Sequence, residues 1–232
     1  MVSYHCDDTI ATITIDDGKV NVLSLAALAE LNAALSRAEQ DDAVVILAGR
    51  DGVFSAGFDL PVLRARGPDA RAMLRAGFEL AARLLAFPRP VVIACTGHAV
   101  AMGVFLLLCG DYRVGITGPY KITANEVAIG LTMPRAAVEI CRQRLTPAHF
   151  NRAVILAETF TPADAVAAGF LDRTVEASSV HEVARGVAAQ ACTLDRSAHE
   201  ATKRRARAQA LSAIRSAIDA DAAAYSVQSP AS

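Results

Sequence analysis

Apolar and polar residues alternate along Ile10-Ala11-Thr12-Ile13-Thr14-Ile15, the period of two that predicts a strand with one buried face. Asp16-Asp17-Gly18-Lys19 follows as a turn. From Ser24 the period changes. Leu25, Leu28, Leu31 and Leu35 recur at helical steps, and Ser24 is placed to cap the first turn. Residues 43–48 and 90–95 are continuous apolar runs of strand length, as expected of strands covered on both faces. Each run leads into a glycine loop and then a helix. Gly49, Gly52 and Gly57 precede a helix over 68–87 with Met73, Leu74, Phe78 and Leu85 facing inward, and Gly97 precedes a helix over 102–109. The unit repeats at an offset of about 47 residues. Short strands are predicted at 111–116, 120–123 and 170–175. The rest reads as helix, over 134–145, 146–157, 162–168, 180–194 and one long final helix over 197–225. Leu211, Ile214 and Ile218 give that last helix a single apolar stripe, suited to packing on the main body or on a neighbouring subunit. The tail, 226–232, is small and polar and reads as frayed.

Composition narrows the classes of function. Of 232 residues 53% are hydrophobic, enough for a large core, and the net charge of −1 with no Trp argues against nucleic acid and anionic membranes as partners. Residues 91–109 are almost wholly apolar and about as long as a membrane span. Thr96, Gly97, His98 and Gly103 interrupt them, however, which favours a buried strand, a tight loop and a buried helix over a span. The five cysteines are scattered singly, consistent with free thiols in a reducing compartment such as the cytoplasm. The N-terminal residues do not read as a signal peptide, nor the C-terminal ones as a peroxisomal address. The five histidines lack ligand spacing and the common nucleotide-binding motifs are missing, so neither a metal nor a cofactor is expected. Gly52 to Gly57 misses the G-x-S-x-G spacing by one residue, which makes Ser55 a loop residue rather than a nucleophile.

Two loops carry candidate chemistry. In Phe54-Ser55-Ala56-Gly57-Phe58-Asp59-Leu60 the small residues let a ligand approach the backbone, and their N–H groups can point at an oxygen. An ordinary strand-to-helix turn capped by Asp59 is the competing reading. Thr96-Gly97-His98-Ala99-Val100-Ala101-Met102-Gly103 joins a second buried strand to a helix whose first N–H groups have no intrahelical acceptor. Two such loops can converge on one carbonyl oxygen and form an oxyanion hole.

These segments resemble the crotonase (enoyl-CoA hydratase/isomerase) superfamily. The first is similar to its F-x-A-G-x-D signature and the second to its G-x-A-x-G-G-G loop. A third, Ala124-Asn125-Glu126-Val127-Ala128-Ile129-Gly130-Leu131-Thr132-Met133-Pro134, is similar to P-E-x-x-x-G-x-x-P. The resemblance implies an α/β fold, a crotonase-like ββα spiral core over 1–194 with a C-terminal helical region over 195–232 that serves trimerisation and the CoA side. It implies an acyl-CoA thioester as substrate, no separate cofactor, and a homotrimer or hexamer. It places the two oxyanion donors on the amides of Ala56 and Met102, although the family usually has glycine at the positions of Ala101 and Met102. Ser55, Gly57, Asp59, Leu60 and Ala101 fall on the substrate and CoA side, and Lys203 falls where the family often has a base for the CoA phosphates. Of the two glutamates of the family's hydratases, one is kept as Glu126 and the other is replaced by Phe105, which with Met102 would line the acyl channel. A lone glutamate suits moving a double bond between carbons 3 and 2 of an enoyl-CoA, as in fatty-acid metabolism, better than holding water. An acyl-CoA-binding protein with little turnover and a thioester hydrolase are the alternatives.

Overall fold

The computed structural model describes residues 1–227. Strand β1 (Val2–Asp7) turns back through Asp8, which adopts a left-handed φ of 52°, into β2 (Ile10–Ile15) as an antiparallel pair. After β3 (Val22–Leu23), Ser24 accepts a hydrogen bond from the Ala27 amide and starts α1 (Leu25–Gln40). Then come β4 (Val44–Ala48), β5 (Gly52–Ser55), β6 (Gly57–Phe58), α2 (Leu60–Ala65) and α3 (Pro68–Ala86). The second unit is β7 (Val91–Cys95), β8 (Gly97–Val100) and α4 (Met102–Leu107), and a third begins with β9 (Tyr112–Ile116) and β10 (Ile122–Thr123). A 3-10 turn at Val127–Ile129 leads to α5 (Arg135–Arg142), α6 (Pro147–Val154) and α7 (Pro162–Ala168). The chain continues through β11 (Arg173–Val175), α8 (Val180–Cys192), α9 (Arg196–Ala206) and α10 (Ala208–Val227).

The principal sheet has six strands in the order β1-β2-β4-β7-β9-β11, parallel except for the first pair. Strands β4 and β7 are buried along their whole length, as their unbroken apolar sequence requires. The segments read as glycine loops are in fact short strands. Parallel pairs join β5 and β10 to β8 in a second sheet, and β3 pairs with β6. Gly52 and Gly97 face each other there, and a Cβ on Gly97 would lie 2.0 Å from the Gly52 carbonyl carbon. The two strands therefore approach as closely as glycine alone permits. The apolar run over 91–109 resolves into β7, β8 and α4, and among the described residues no helix is long and apolar enough to cross a membrane. The predicted long final helix breaks at Arg207, whose φ of −102° and ψ of 3° separate α9 from α10. Helix α10 packs on α5 and α3 through Leu211, Ile214 and Ile218. Most of the predicted tail, residues 228–232, lies outside the described residues.

Candidate active site

The turn between β5 and β6 is built around Asn21. Its side chain is fully buried, and its backbone adopts a left-handed φ of 56°, a conformation Asn tolerates better than most residues. The carboxamide donates to the carbonyls of Ile15 at 2.8 Å, Val53 at 3.2 Å and Phe54 at 3.1 Å. Ser55 donates its hydroxyl to the Asn21 carbonyl at 2.7 Å and accepts the Gly57 amide at 3.0 Å. The Ala56 amide donates to the Val20 carbonyl at 2.9 Å.

That network corrects two expectations. The single proton of the Ala56 N–H is already taken, so Ala56 lines the cavity but is not the oxyanion donor. Ser55 is fully buried with its hydroxyl committed at both ends, so it shapes the turn and has no surface for a ligand.

Met102 fares differently. It is the first residue of α4, so its amide has no intrahelical acceptor, and no other acceptor meets it among the described residues. A Cβ built on Gly57 would lie 3.0 Å from the Met102 nitrogen and 2.9 Å from the Ala101 Cβ. The two loops thus converge, and Gly57, with φ of 88°, is the residue that lets them. Ala101 enters α4 at φ 50° and ψ −124°, outside the ordinary regions for a residue with a side chain. The Met102 side chain points to α3, where its methyl would sit 3.4 Å from a Cβ on Gly77. It packs in the core rather than lining the cavity, contrary to the acyl-channel expectation.

Glu126 follows β10 on a turn held by its own backbone. The Leu131 amide donates to the Glu126 carbonyl and the Ile129 amide to that of Asn125. The side chain is 7% exposed and opens onto a cavity of about 260 Å3 shared with Ala56, Phe58, Leu60, Ala101 and Phe105. Oε2 is buried with no hydrogen-bond partner among the described residues. Burial pushes the carboxyl up from its ordinary 4.5 to about 7, opposed only by a hydrogen bond from its own backbone. Phe105 lines the same cavity, its ring tilted 34° to that of Phe78 with centroids 6.1 Å apart, and Phe78 meets Phe58 edge-on at 6.1 Å.

Sequence reasoning did not assign roles to several lining residues, among them Phe58, Leu63, Arg66, Phe78 and Asn125. Leu60, Leu63 and Arg66 recur at three-residue steps, a helical signal that a short segment between two glycine-rich loops hides. A second cavity of about 310 Å3 adjoins the first across Leu74, Phe78, Thr132 and Pro134, and reaches Ile218 on α10.

Two further expectations are overturned. Asp59 caps α2, accepting the Val62 amide at 3.3 Å, and is not part of the cavity wall. Lys203 is 7% exposed, donates to Asp111 Oδ2 at 2.6 Å and to the Arg89 carbonyl at 3.2 Å, and cannot reach a phosphate. Burial lowers its pKa against the pull of Asp111. Arg207 joins the same carboxylate at 2.9 Å.

The sequence profile of the enoyl-CoA hydratase/isomerase family matches residues 5–229, so the chain belongs to that family, and its fold is of the crotonase type. It is 51% identical to an enoyl-CoA isomerase of Mycobacterium tuberculosis whose structure superposes with a TM-score of 0.92, covering 96% of this chain and 97% of that one. It is 34% identical over 183 residues to mouse mitochondrial enoyl-CoA delta isomerase 1, covering 77% of this chain and 63% of the relative, somewhat less than two thirds of that longer protein. A probable enoyl-CoA hydratase of Mycobacterium avium is 30% identical, over 77% of this chain and 70% of the relative.

Proposed function

We propose that the chain shifts the double bond of a 3-enoyl-CoA to carbon 2, with Glu126 as the proton carrier. The observation that carries this reading is a buried carboxyl with a pKa near 7, facing a cavity lined by Phe105 and, among the described residues, by no second acid. A base poised near the working pH combines ionisation with proton affinity. Glu126 takes a proton from C2, the electrons pass to the thioester oxygen, and the dienolate is reprotonated at C4. No atom is gained or lost.

The Met102 amide is one donor to the developing oxyanion. With the amides of Ala56 and Gly57 engaged, Phe58, next along the same turn and itself lining the cavity, is the residue we assign as the other. Each aligned donor lowers the barrier by roughly 3 kcal/mol. With Lys203 turned inward, Arg66 is the cation of the cavity wall left for the CoA arm. The adjoining cavity has room for an acyl tail. A trimer or hexamer follows from the family likeness, and the exposed Ile155 and Leu156 are apolar surface that such an assembly would cover. The five unpaired thiols suit a reducing compartment such as the cytoplasm.

The test is a product-resolved assay of wild type and Glu126→Gln on 3-enoyl-CoA. The amide keeps the shape and removes the base, so kcat falls about 10³-fold with acyl-CoA binding retained. Unchanged turnover rules out Glu126 as the base. Tight binding by the wild type with no turnover of 3-enoyl or 2-enoyl thioesters makes the protein an acyl-CoA binder, and release of free CoA makes it a hydrolase.

A further inference from the structure

The cavity that adjoins the Glu126 chamber changes character along its length. The wall it shares with that chamber is Leu74, Phe78, Thr132 and Pro134, and Met133 and Ile218 continue the apolar lining. Three guanidinium groups complete it, Arg71 and Arg75 from α3 and Arg135 from the start of α5. None of the three lines the Glu126 chamber, so they stand beyond the junction, away from the reacting carbons. One acid shares that wall, Asp221, and both its oxygens cap α5: Oδ1 accepts the Arg135 amide at 3.1 Å and Oδ2 the Ala136 amide at 3.0 Å. The Arg135 guanidinium lies 3.5 Å from Asp221 and is 62% exposed. Arg75 pairs with Glu79 at 2.7 Å and Asp219 at 3.2 Å, two acids that are outside the wall and more than half exposed. Ion pairs between groups this exposed are weakly held. A guanidinium has five donors, of which such pairs use few, so Arg75 and Arg135 keep donors for a further anion. A hydrocarbon tail gives a guanidinium nothing to bond. A carboxylate matches its planar fork.

We propose that the site takes acyl-CoA substrates whose acyl chain ends in a carboxylate, the half-thioesters of dicarboxylic acids, and that Arg75 and Arg135 hold that terminal carboxylate in the positive field to which Arg71 adds. The inference rests on the isomerase reading, with the acyl tail running from Glu126 past Phe78 into the adjoining cavity. The methylene carbons lie against Leu74, Phe78, Met133 and Ile218. The carboxylate comes to rest among exposed guanidinium groups, where water still reaches it and the cost of desolvating an anion is small. A methyl-ended chain fits the same apolar wall and forgoes the charge-assisted bonds. The distal carboxylate takes no part in moving the double bond. It binds equally in ground state and transition state, so the preference lies in KM and not in kcat.

The experiment compares medium-chain 3-enoyl-CoA thioesters in pairs of equal length, one ending in a carboxylate and one in a methyl group. The proteins are full-length wild type, the double variant Arg75→Gln/Arg135→Gln, and Arg71→Gln. In wild type at low salt the carboxylate member of the best-fitting pair is expected to have a KM about tenfold lower, with kcat alike. That preference shrinks as salt is added. It falls to about twofold or less in the double variant, whose KM for the methyl-ended member stays near wild type. Equal KM values in wild type for every pair, a lower KM for the methyl-ended members, or a preference undiminished in the double variant overturns the proposal. A KM that rises alike for both members in the double variant also overturns it and assigns the arginines to the CoA arm. If the double variant does not fold, an undiminished preference in Arg71→Gln overturns it. Calorimetric binding of the corresponding saturated acyl-CoA pair to Glu126→Gln separates this site from the isomerase reading. Preference in binding with no turnover by wild type leaves the arginine site standing and sinks isomerisation. Turnover of methyl-ended thioesters by wild type with no preference in binding sinks only the arginine site.

Discussion

Glu126 is held in surroundings that oppose its charge, and that has a cost for the fold as well as a use in catalysis. Burial raises its pKa from 4.5 to about 7, so the folded chain binds this proton more tightly than the unfolded chain does. The stability associated with that proton is fully present below pH 4.5 and is lost as the pH rises to 7. Above pH 7 the ionised carboxylate leaves the protein about 3 kcal/mol less stable than an uncharged isostere would. Urea unfolding at pH 9 is therefore expected to find Glu126→Gln more stable than wild type by up to about that amount. At pH 5 the difference shrinks to below about 1 kcal/mol. Equal stability at both pH values would mean that Glu126 is open to water.

The elements that carry the two loops fit together through glycines. A Cβ on Gly103 would lie 2.5 Å from the Ser55 carbonyl oxygen and 2.9 Å from the Ser55 Cβ, so α4 rests directly on the first turn. Gly103→Ala pushes the start of α4 away and shifts the Met102 amide with it. The expected outcome is a loss of about 1–3 kcal/mol in thermal unfolding and a fall in kcat of on the order of 10²-fold. Wild-type turnover in that variant would separate the packing from the chemistry. Much of this arrangement was legible in the sequence. The continuous apolar runs of β4 and β7 gave buried strands, the spacing of Leu28, Leu31 and Leu35 gave α1, and three motifs in order pointed to Met102, Phe105 and Glu126. Less visible was anything decided by which partner an atom finds. The Ala56 amide is lost to Val20, a backbone contact between residues far apart in sequence. Asn21 shows no periodic signal, while β1, where Val2, Tyr4 and Cys6 alternate with Ser3, His5 and Asp7, and the short α2 carry patterns that the reading of the sequence passed over. Arg207 breaks the last helix through a backbone angle, although the apolar stripe continues past it.

Across the whole molecule, the C-terminal helices are tied to the core by charge as well as by apolar packing. Asp111 accepts hydrogen bonds from Lys203 at 2.6 Å and the Val91 amide at 2.7 Å, and lies 2.9 Å from the Arg207 guanidinium. At the other end Asp221 of α10 accepts the amides of Arg135 and Ala136 at 3.1 and 3.0 Å, capping α5 just beyond the Glu126 turn. The same cluster explains why the basic residues at the end of α9 and at its break with α10 do not all face solvent: the side chains of Lys203 and Arg207 are only 6% and 12% exposed. Asp111→Ala leaves two nearly buried cations without their carboxylate, a change that costs about 3–5 kcal/mol. Its melting temperature is expected to fall sharply while KM for acyl-CoA in the folded protein stays near wild type. A large rise in KM with little loss of stability would return Lys203 to the CoA site.

The central claim is that one buried carboxyl, ionising near neutrality, moves the substrate proton. The pH dependence of kcat/KM for 3-enoyl-CoA isomerisation tests it most directly, because that quantity follows ionisation of the free enzyme. A rise with pH centred near 7 is the expected result. A profile centred near 4.5, or flat from pH 5 to 9, would contradict the account.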